Sequence, residues 1–183
     1  MIIATLFYHT SAEAQRMLVG DQLLSMTGGV NFYSREYVQG NFLLDVTYGR
    51  YLKNSNYITA GVGYQYTDLR MVGYTIPSHQ ILAKGLFHYR LVGDHSSTIN
   101  LYAHAGLALG CELFGVASRK LPDGTLLSKT SGFVYGGDVG ANVDCFFSDR
   151  IALTLSGGTA ILFDSLLALH TQPYIQLGVR LLF

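Results

Sequence analysis

Nine ionisable side chains interrupt stretches that are otherwise apolar or small: Asp45, Lys84, Arg90, Glu112, Asp138, Asp144 and Arg180, with His88 and His104. Such groups can transfer protons or line an ion path through an apolar layer, so their sharpest reading is a catalytic or transport site. They can also serve packing, because a charge taken out of water must be paired or neutralised. Four acids stand against three permanent cations, close to the balance that pairing requires, so a structural ionic network is the expectation. A second grouping, Asp164, Ser165 and His170, has residue types used in nucleophilic hydrolysis. One histidine and one acid in a polar loop are more often simply solvated. No HExxH, P-loop, paired CxxC or GxSxG motif occurs. The stretch GGDVGAN (136–142) has the glycines of a phosphate cradle but falls within a strand pattern, with no helix N-terminus behind it. No catalytic residue, metal or cofactor is expected.

The elements that must hold these groups follow from the period of the sequence. Ile99, Leu101, Ala103, Ala105, Leu107, Leu109, Cys111 and Leu113 alternate with Asn100, Tyr102, His104, Gly106, Ala108, Gly110 and Glu112. Alternation over that length predicts a strand. A membrane helix would need roughly 20 mostly apolar residues, and His104 and Glu112 would be costly inside one. The same dyad recurs at 26–32, 42–48, 58–66, 81–89, 135–147, 151–161 and 175–183. The prediction is an all-β chain of eight antiparallel strands, each near the roughly 9–11 residues that a tilted strand needs to cross a bilayer. Tight turns are expected at Asn54-Ser55-Asn56, Gly93-Asp94-His95 and Ser148-Asp149-Arg150. Longer loops are expected near 35–40, 70–78, 115–132 and 162–172. Short turns at one end and long loops at the other are the arrangement of an up-and-down outer-membrane barrel, with both termini on the periplasmic side.

A soluble barrel would turn its apolar face inward. The aromatics argue otherwise. Phe32, Phe42, Tyr64, Tyr66 and Tyr135 fall at the loop ends of the apolar faces, and Tyr48, Phe87, Tyr89, Phe147 and Phe183 at the turn ends. Two aromatic girdles around an aliphatic band describe a lipid-facing surface. The polar face is rich in glycine, which suits a narrow eight-stranded interior. Composition agrees: only 13% of residues are charged, about half the roughly 25% of soluble domains. Formal net charge is zero, so direct nucleic-acid binding is not expected.

The N-terminal stretch MIIATLFYHTSAEAQRM reads as a signal peptide over 1–14, with an Ala12-Glu13-Ala14 cleavage pattern and the barrel domain over 15–183. No Lys or Arg precedes its apolar part. Cys111 and Cys145 are expected as free thiols. A loop centred near residue 124 puts Cys111 opposite residue 137, and the remaining eight positions to Cys145 span about 26 Å at about 3.3 Å each, beyond disulfide reach. In the last strand, Phe183, Leu181, Val179, Leu177 and Ile175 face lipid, and Arg180 and Gln176 face the lumen. Phe183 reads as a terminal assembly signal. In the longest loop, Arg119, Lys120 and Lys129 are candidates for meeting an acidic partner or lipid phosphates.

Several stretches resemble the TraO proteins of conjugative transposons: AQRM (14–17), LYAHAGLALGCE (101–112), LPDGTLL (121–127), FVYGGDVGANVDCFFSDR (133–150) and HTQPYIQLGVRLLF (170–183). The likeness covers most of the chain after the predicted cleavage site and is strongest after about residue 90. What it implies is a non-enzymatic outer-membrane component of a DNA-transfer apparatus, in contact with membrane lipid and with other transfer proteins. It carries no catalytic motif onto this sequence. Two other roles fit the same barrel: a small enzyme acting on lipid A or phospholipid, and a general adhesion or envelope-stability barrel.

Overall fold

Strands account for most of the residues that the computed structural model describes, which are 17–32, 38–71, 74–94, 98–115, 131–164 and 170–183. They are β1 (Gln22–Asn31), β2 (Val38–Tyr51), β3 (Tyr57–Met71), β4 (Tyr74–Gly93), β5 (Ile99–Phe114), β6 (Ser131–Phe146), β7 (Ile151–Phe163) and β8 (Thr171–Leu182). Each pairs antiparallel with its neighbours in sequence, and β1 pairs with β8, so the sheet closes into a barrel. Closure leaves no free sheet edge among the described strands, which a membrane demands of strands. No described helix is long and apolar enough to cross a membrane, which says nothing against strands doing so.

The register fixes the shape of the barrel. Ladder partners followed from Leu24 through Tyr48, Ala60, Gly85, Leu107, Gly137 and Ile161 arrive at Thr171, while Leu24 itself pairs with Leu181, ten residues away. A stagger of ten over eight strands tilts them by about 40° to the axis, given about 3.3 Å per residue and about 4.8 Å between strands. Such a narrow wall bends sharply toward its lumen, and glycine permits the bend. A Cβ on Gly178 would collide with the Met26 carbonyl oxygen and lie 2.6 Å from Thr27 Cα.

The two faces divide as the alternation predicts. Along β5, Ile99, Ala105, Leu107, Leu109, Cys111 and Leu113 are exposed, and Asn100, Tyr102, His104, Ala108 and Glu112 are buried. Leu107 is 70% exposed and Met26 62%. A continuous apolar exterior of this kind marks a surface made for lipid. The girdle rings touch in two sets. At the turn end Tyr48 lies 6.5 Å from Phe183. At the loop end Phe42 lies 5.9 Å from Tyr64 and 5.5 Å from Tyr66, and Tyr135 lies 6.4 Å from Phe133 and 5.8 Å from Phe163.

Three sequence expectations need correction. The 70–78 loop is mostly strand, since β3 and β4 stay paired from Tyr57↔His88 up to Met71↔Tyr74. Val38 and Gly40 likewise belong to β2, across a register irregularity. Cys111 pairs with Phe133 rather than residue 137, and Cys145 pairs with Ile99. The two cysteines are thus twelve ladder positions apart, about 40 Å at about 3.3 Å per residue, and both are free, Cys111 exposed and Cys145 half-buried. Maleimide should therefore modify two thiols per unfolded, unreduced chain; a count of zero would contradict this register. The predicted signal peptide and the loop cations Arg119, Lys120 and Lys129 lie outside the described residues.

Candidate functional site

The lumen is built in layers, because each strand contributes every second side chain to it. At the turn end Met17, Leu23, Tyr51, Tyr57, Tyr102, Phe146, Ala152 and Leu182 form a buried apolar plug. The segment before β1 seats it. Gly20 N–H bonds the Tyr51 carbonyl, Tyr51 N–H bonds the Asp21 carbonyl, and the Tyr102 hydroxyl approaches Met17 Sδ at 3.4 Å. Nearer the loop end Leu82, Ala108, Val134, Ala160 and Leu162 form a second apolar layer. The charged groups lie mainly between these layers.

Two linked clusters fill the middle. Toward the turn end, Arg180 pairs through Nη1 with Asp144 Oδ2 and donates from Nε to Ser25 Oγ at 2.9 Å. Its guanidinium lies 4.5 Å from the centre of the Tyr57 ring. Asp144 also accepts from the Thr154 hydroxyl at 2.9 Å and from Asn142 Nδ2 at 3.1 Å. Asn142 turns its amide oxygen to His88 Nδ1 at 3.0 Å. His88 must therefore carry a proton on Nδ1, and its Nε2 lies 3.1 Å from the Thr59 hydroxyl. Toward the loop end, Lys84 Nζ lies 2.9 Å from Asp45 and 3.9 Å from Asp138. Gln176 donates to Asp45 at 2.5 Å. Tyr174 donates to Asp138 at 2.8 Å and lies 3.1 Å from His104 Nε2. The imidazoles of His88 and His104, 5.3 Å apart, bridge the two clusters.

Of the charged residues singled out in the sequence, Asp45, Lys84, Asp138, Asp144 and Arg180 meet here with both histidines. Glu112 is fully buried on the loop-end side, opposite Gln80. Arg90 lies at the turn end beside Gly93 and Asn100. His170 Nδ1 reaches the Leu162 carbonyl at 3.2 Å, so this nitrogen meets backbone rather than Asp164. Ser165 lies outside the described residues. Gln176 was expected in the lumen from sequence; the other neutral members, Tyr57, Asn142, Thr154 and Tyr174, were not singled out as site residues, although their inward parity was readable.

This arrangement pairs charge around a small polar cavity. A cavity of about 50 Å³ sits among His88, His104, Asn142, Thr154, Gln176 and Arg180. At roughly 10–15 Å³ per water it has room for about three to five molecules. Among the described residues no group of three or more His, Cys, Asp or Glu could hold a metal ion. The plug at one side and the apolar layer at the other flank the ionic middle.

The fold has solved counterparts. Neisserial surface protein A superposes with a TM-score of 0.54 at 13% identity, covering 90% of this chain and 97% of its own. OprG, an outer membrane protein of Pseudomonas aeruginosa, gives 0.54 at 13% identity, with 93% and 99% covered. A designed transmembrane β-barrel gives 0.51 at 12% identity, with 91% and 98% covered. A designed barrel fits about as well as natural ones, so these likenesses speak to fold alone. No curated protein matches the chain. Family assignment comes from sequence instead: the family described as "Conjugative transposon protein TraO" matches residues 18–183, essentially the whole barrel, and the chain belongs to that TraO family.

Proposed function

We propose that this barrel is a non-enzymatic outer-membrane component of a conjugative DNA-transfer apparatus. The observation that carries the reading is the filled lumen. The charged groups of its polar middle pair with one another between two apolar layers, and a cavity with room for a few waters is smaller than the roughly 300–1,000 Å³ of small-molecule sites. Membership of a transposon transfer family supplies the apparatus. The described interior then serves rigidity, and contacts with other transfer proteins fall to the two ends. In this reading the loop end faces outward, the turn end and both chain termini face the periplasm, and membrane lipid covers the apolar band.

Deletion of the gene from a transposon donor tests this. Mating frequency should fall by about tenfold or more and return with the gene supplied in trans, while growth and the mass profile of lipid A stay unchanged. Normal transfer with altered lipid A acylation would sink the proposal in favour of an envelope enzyme. Normal transfer with lowered surface attachment would favour an adhesion barrel.

A further inference from the structure

We propose that the outer face of β2–β4 at the loop-end rim is a headgroup site for a phosphorylated glycolipid of the surrounding leaflet. The proposal rests on the outer-membrane location given above. Four rings converge on this face. Phe42 packs on Tyr64 and Tyr66, and His79 lies 5.2 Å from the Tyr66 ring and 6.1 Å from the Tyr64 ring. They are joined by polar contacts that an aromatic girdle does not require. The Tyr64 hydroxyl meets His79 Nδ1 at 2.7 Å, and the Tyr66 hydroxyl donates to Asp68 Oδ1 at 2.7 Å. At the rim on β6 and β7, by contrast, Phe133, Tyr135 and Phe163 touch one another as rings only.

Position makes the cluster a site. Tyr64, Tyr66, Asp68 and Arg70 are alternate residues of β3 and so project from one face. They climb from the apolar band to the part of the β3–β4 hairpin that outruns its neighbours. β5 ends at Phe114, opposite Ser78, and β2 begins at Val38, opposite Leu69, whereas β3 and β4 remain paired to Met71 and Tyr74. Arg70 is exposed at this height. Beside Asp68 stands Gly40, where even a Cβ would remain 3.8 Å from Asp68 Oδ2, so the carboxylate can be approached from the β2 side. From lipid upward, a ligand thus meets aromatic faces, a hydroxyl–imidazole pair, a carboxylate and a guanidinium. A sugar ring stacks its C–H face on aromatics, and its hydroxyls donate to a carboxylate. A phosphate pairs with a guanidinium. An acyl chain below lies on the apolar band. A plain phospholipid uses only part of this set.

The test uses the full-length barrel in symmetric phosphatidylcholine vesicles doped either with lipid A, a phosphorylated glucosamine lipid, or with phosphatidylglycerol. Lipid retained after detergent extraction is counted by native mass spectrometry. The wild type should hold about one lipid A, and the double variant Asp68→Asn/Arg70→Gln about tenfold less. Phe133→Ala on the far rim should match wild type. Both polar substitutions lie at the rim, and a heat-modifiable gel shift confirms that each variant is folded. Equal retention by wild type and the double variant would overturn the proposal, as would equal retention of phosphatidylglycerol and lipid A by the wild type. Symmetric vesicles present the headgroup at both ends, so binding is measured independently of orientation. If binding holds but a tag in loop 116–130 is not reached on intact cells, the location reading fails and the site stands.

Discussion

A chain ending at Leu182 should lose most of its assembled barrel in cells, by an order of magnitude or more, while still refolding in detergent. The two halves of that expectation have different causes. In the folded barrel Phe183 exchanges two backbone hydrogen bonds of 3.0 Å with Gln22 and sets its ring near Tyr48 in the turn-end girdle. Its side chain is 63% exposed. Removing it costs two hydrogen bonds at about 1 kcal/mol each, and water at the rim can partly replace them. That loss is too small to abolish folding. A large loss in cells must therefore come from recognition of the aromatic terminus before insertion, which is the role proposed for Phe183. The measurement is the heat-modifiable fraction in isolated outer membranes beside the refolding yield in detergent. Phe183→Tyr should assemble, and Phe183→Ala should resemble the truncation. A truncated chain present at wild-type level in the membrane would end the terminal-signal reading. Equal losses in both assays would mean the effect was stability alone.

The terminal strand was legible because lipid imposes a strict rule on one face only. Ile175, Leu177, Val179, Leu181 and Phe183 had to be apolar, and they are all exposed on the exterior. The same rule gave the eight strands, their inward charges and both girdles. It fails wherever the lipid ends. Above the band, Asp68, Arg70, Thr75, Pro77 and His79 carry no apolar alternation, so the sequence there looks like loop. The β3–β4 ladder runs on regardless, because hydrogen bonding needs no particular side chain. The rule is silent inside the barrel too. Leu23, Leu43, Leu82 and Leu162 point inward beside the polar groups, so the layering of the lumen was not readable, nor was the pairing of Lys84 with Asp45 and Asp138 rather than with Asp144. Pairing across strands depends on register, and register depends on loop geometry. Taking the β5–β6 loop as symmetric about residue 124 misplaced Cys111 by four positions. The face of Cys111 was right, since parity survives an even slip.

Register also decides which charges depend on one another, and the strongest dependence is between Asp144 and Arg180. Arg180→Leu should destabilise the barrel by about 3–5 kcal/mol, because removing one partner leaves the other buried and uncompensated. That is roughly 10²- to 5 × 10³-fold in the folding equilibrium. Asp144 is fully buried, and Arg180 is only 3% exposed. The two losses should differ in origin. Without Arg180, Asp144 keeps its neutral donors Thr154 and Asn142, which soften the loss toward the lower figure. Without Asp144, the guanidinium retains Ser25 and the Tyr57 ring but has no other carboxylate within ion-pairing distance among the described residues, so Asp144→Leu should be the costlier substitution. The double variant Asp144→Leu/Arg180→Leu removes both charges and should recover most of the loss, since apolar replacement of a buried pair is often neutral. Urea unfolding in vesicles, run as a double-mutant cycle, measures all three. None of these changes touches Phe183, so the fraction delivered to the membrane should fall far less than on truncation. Two single variants within about 1 kcal/mol of wild type, or a double variant equal to their sum, would show that the pair is not the keystone of the lumen.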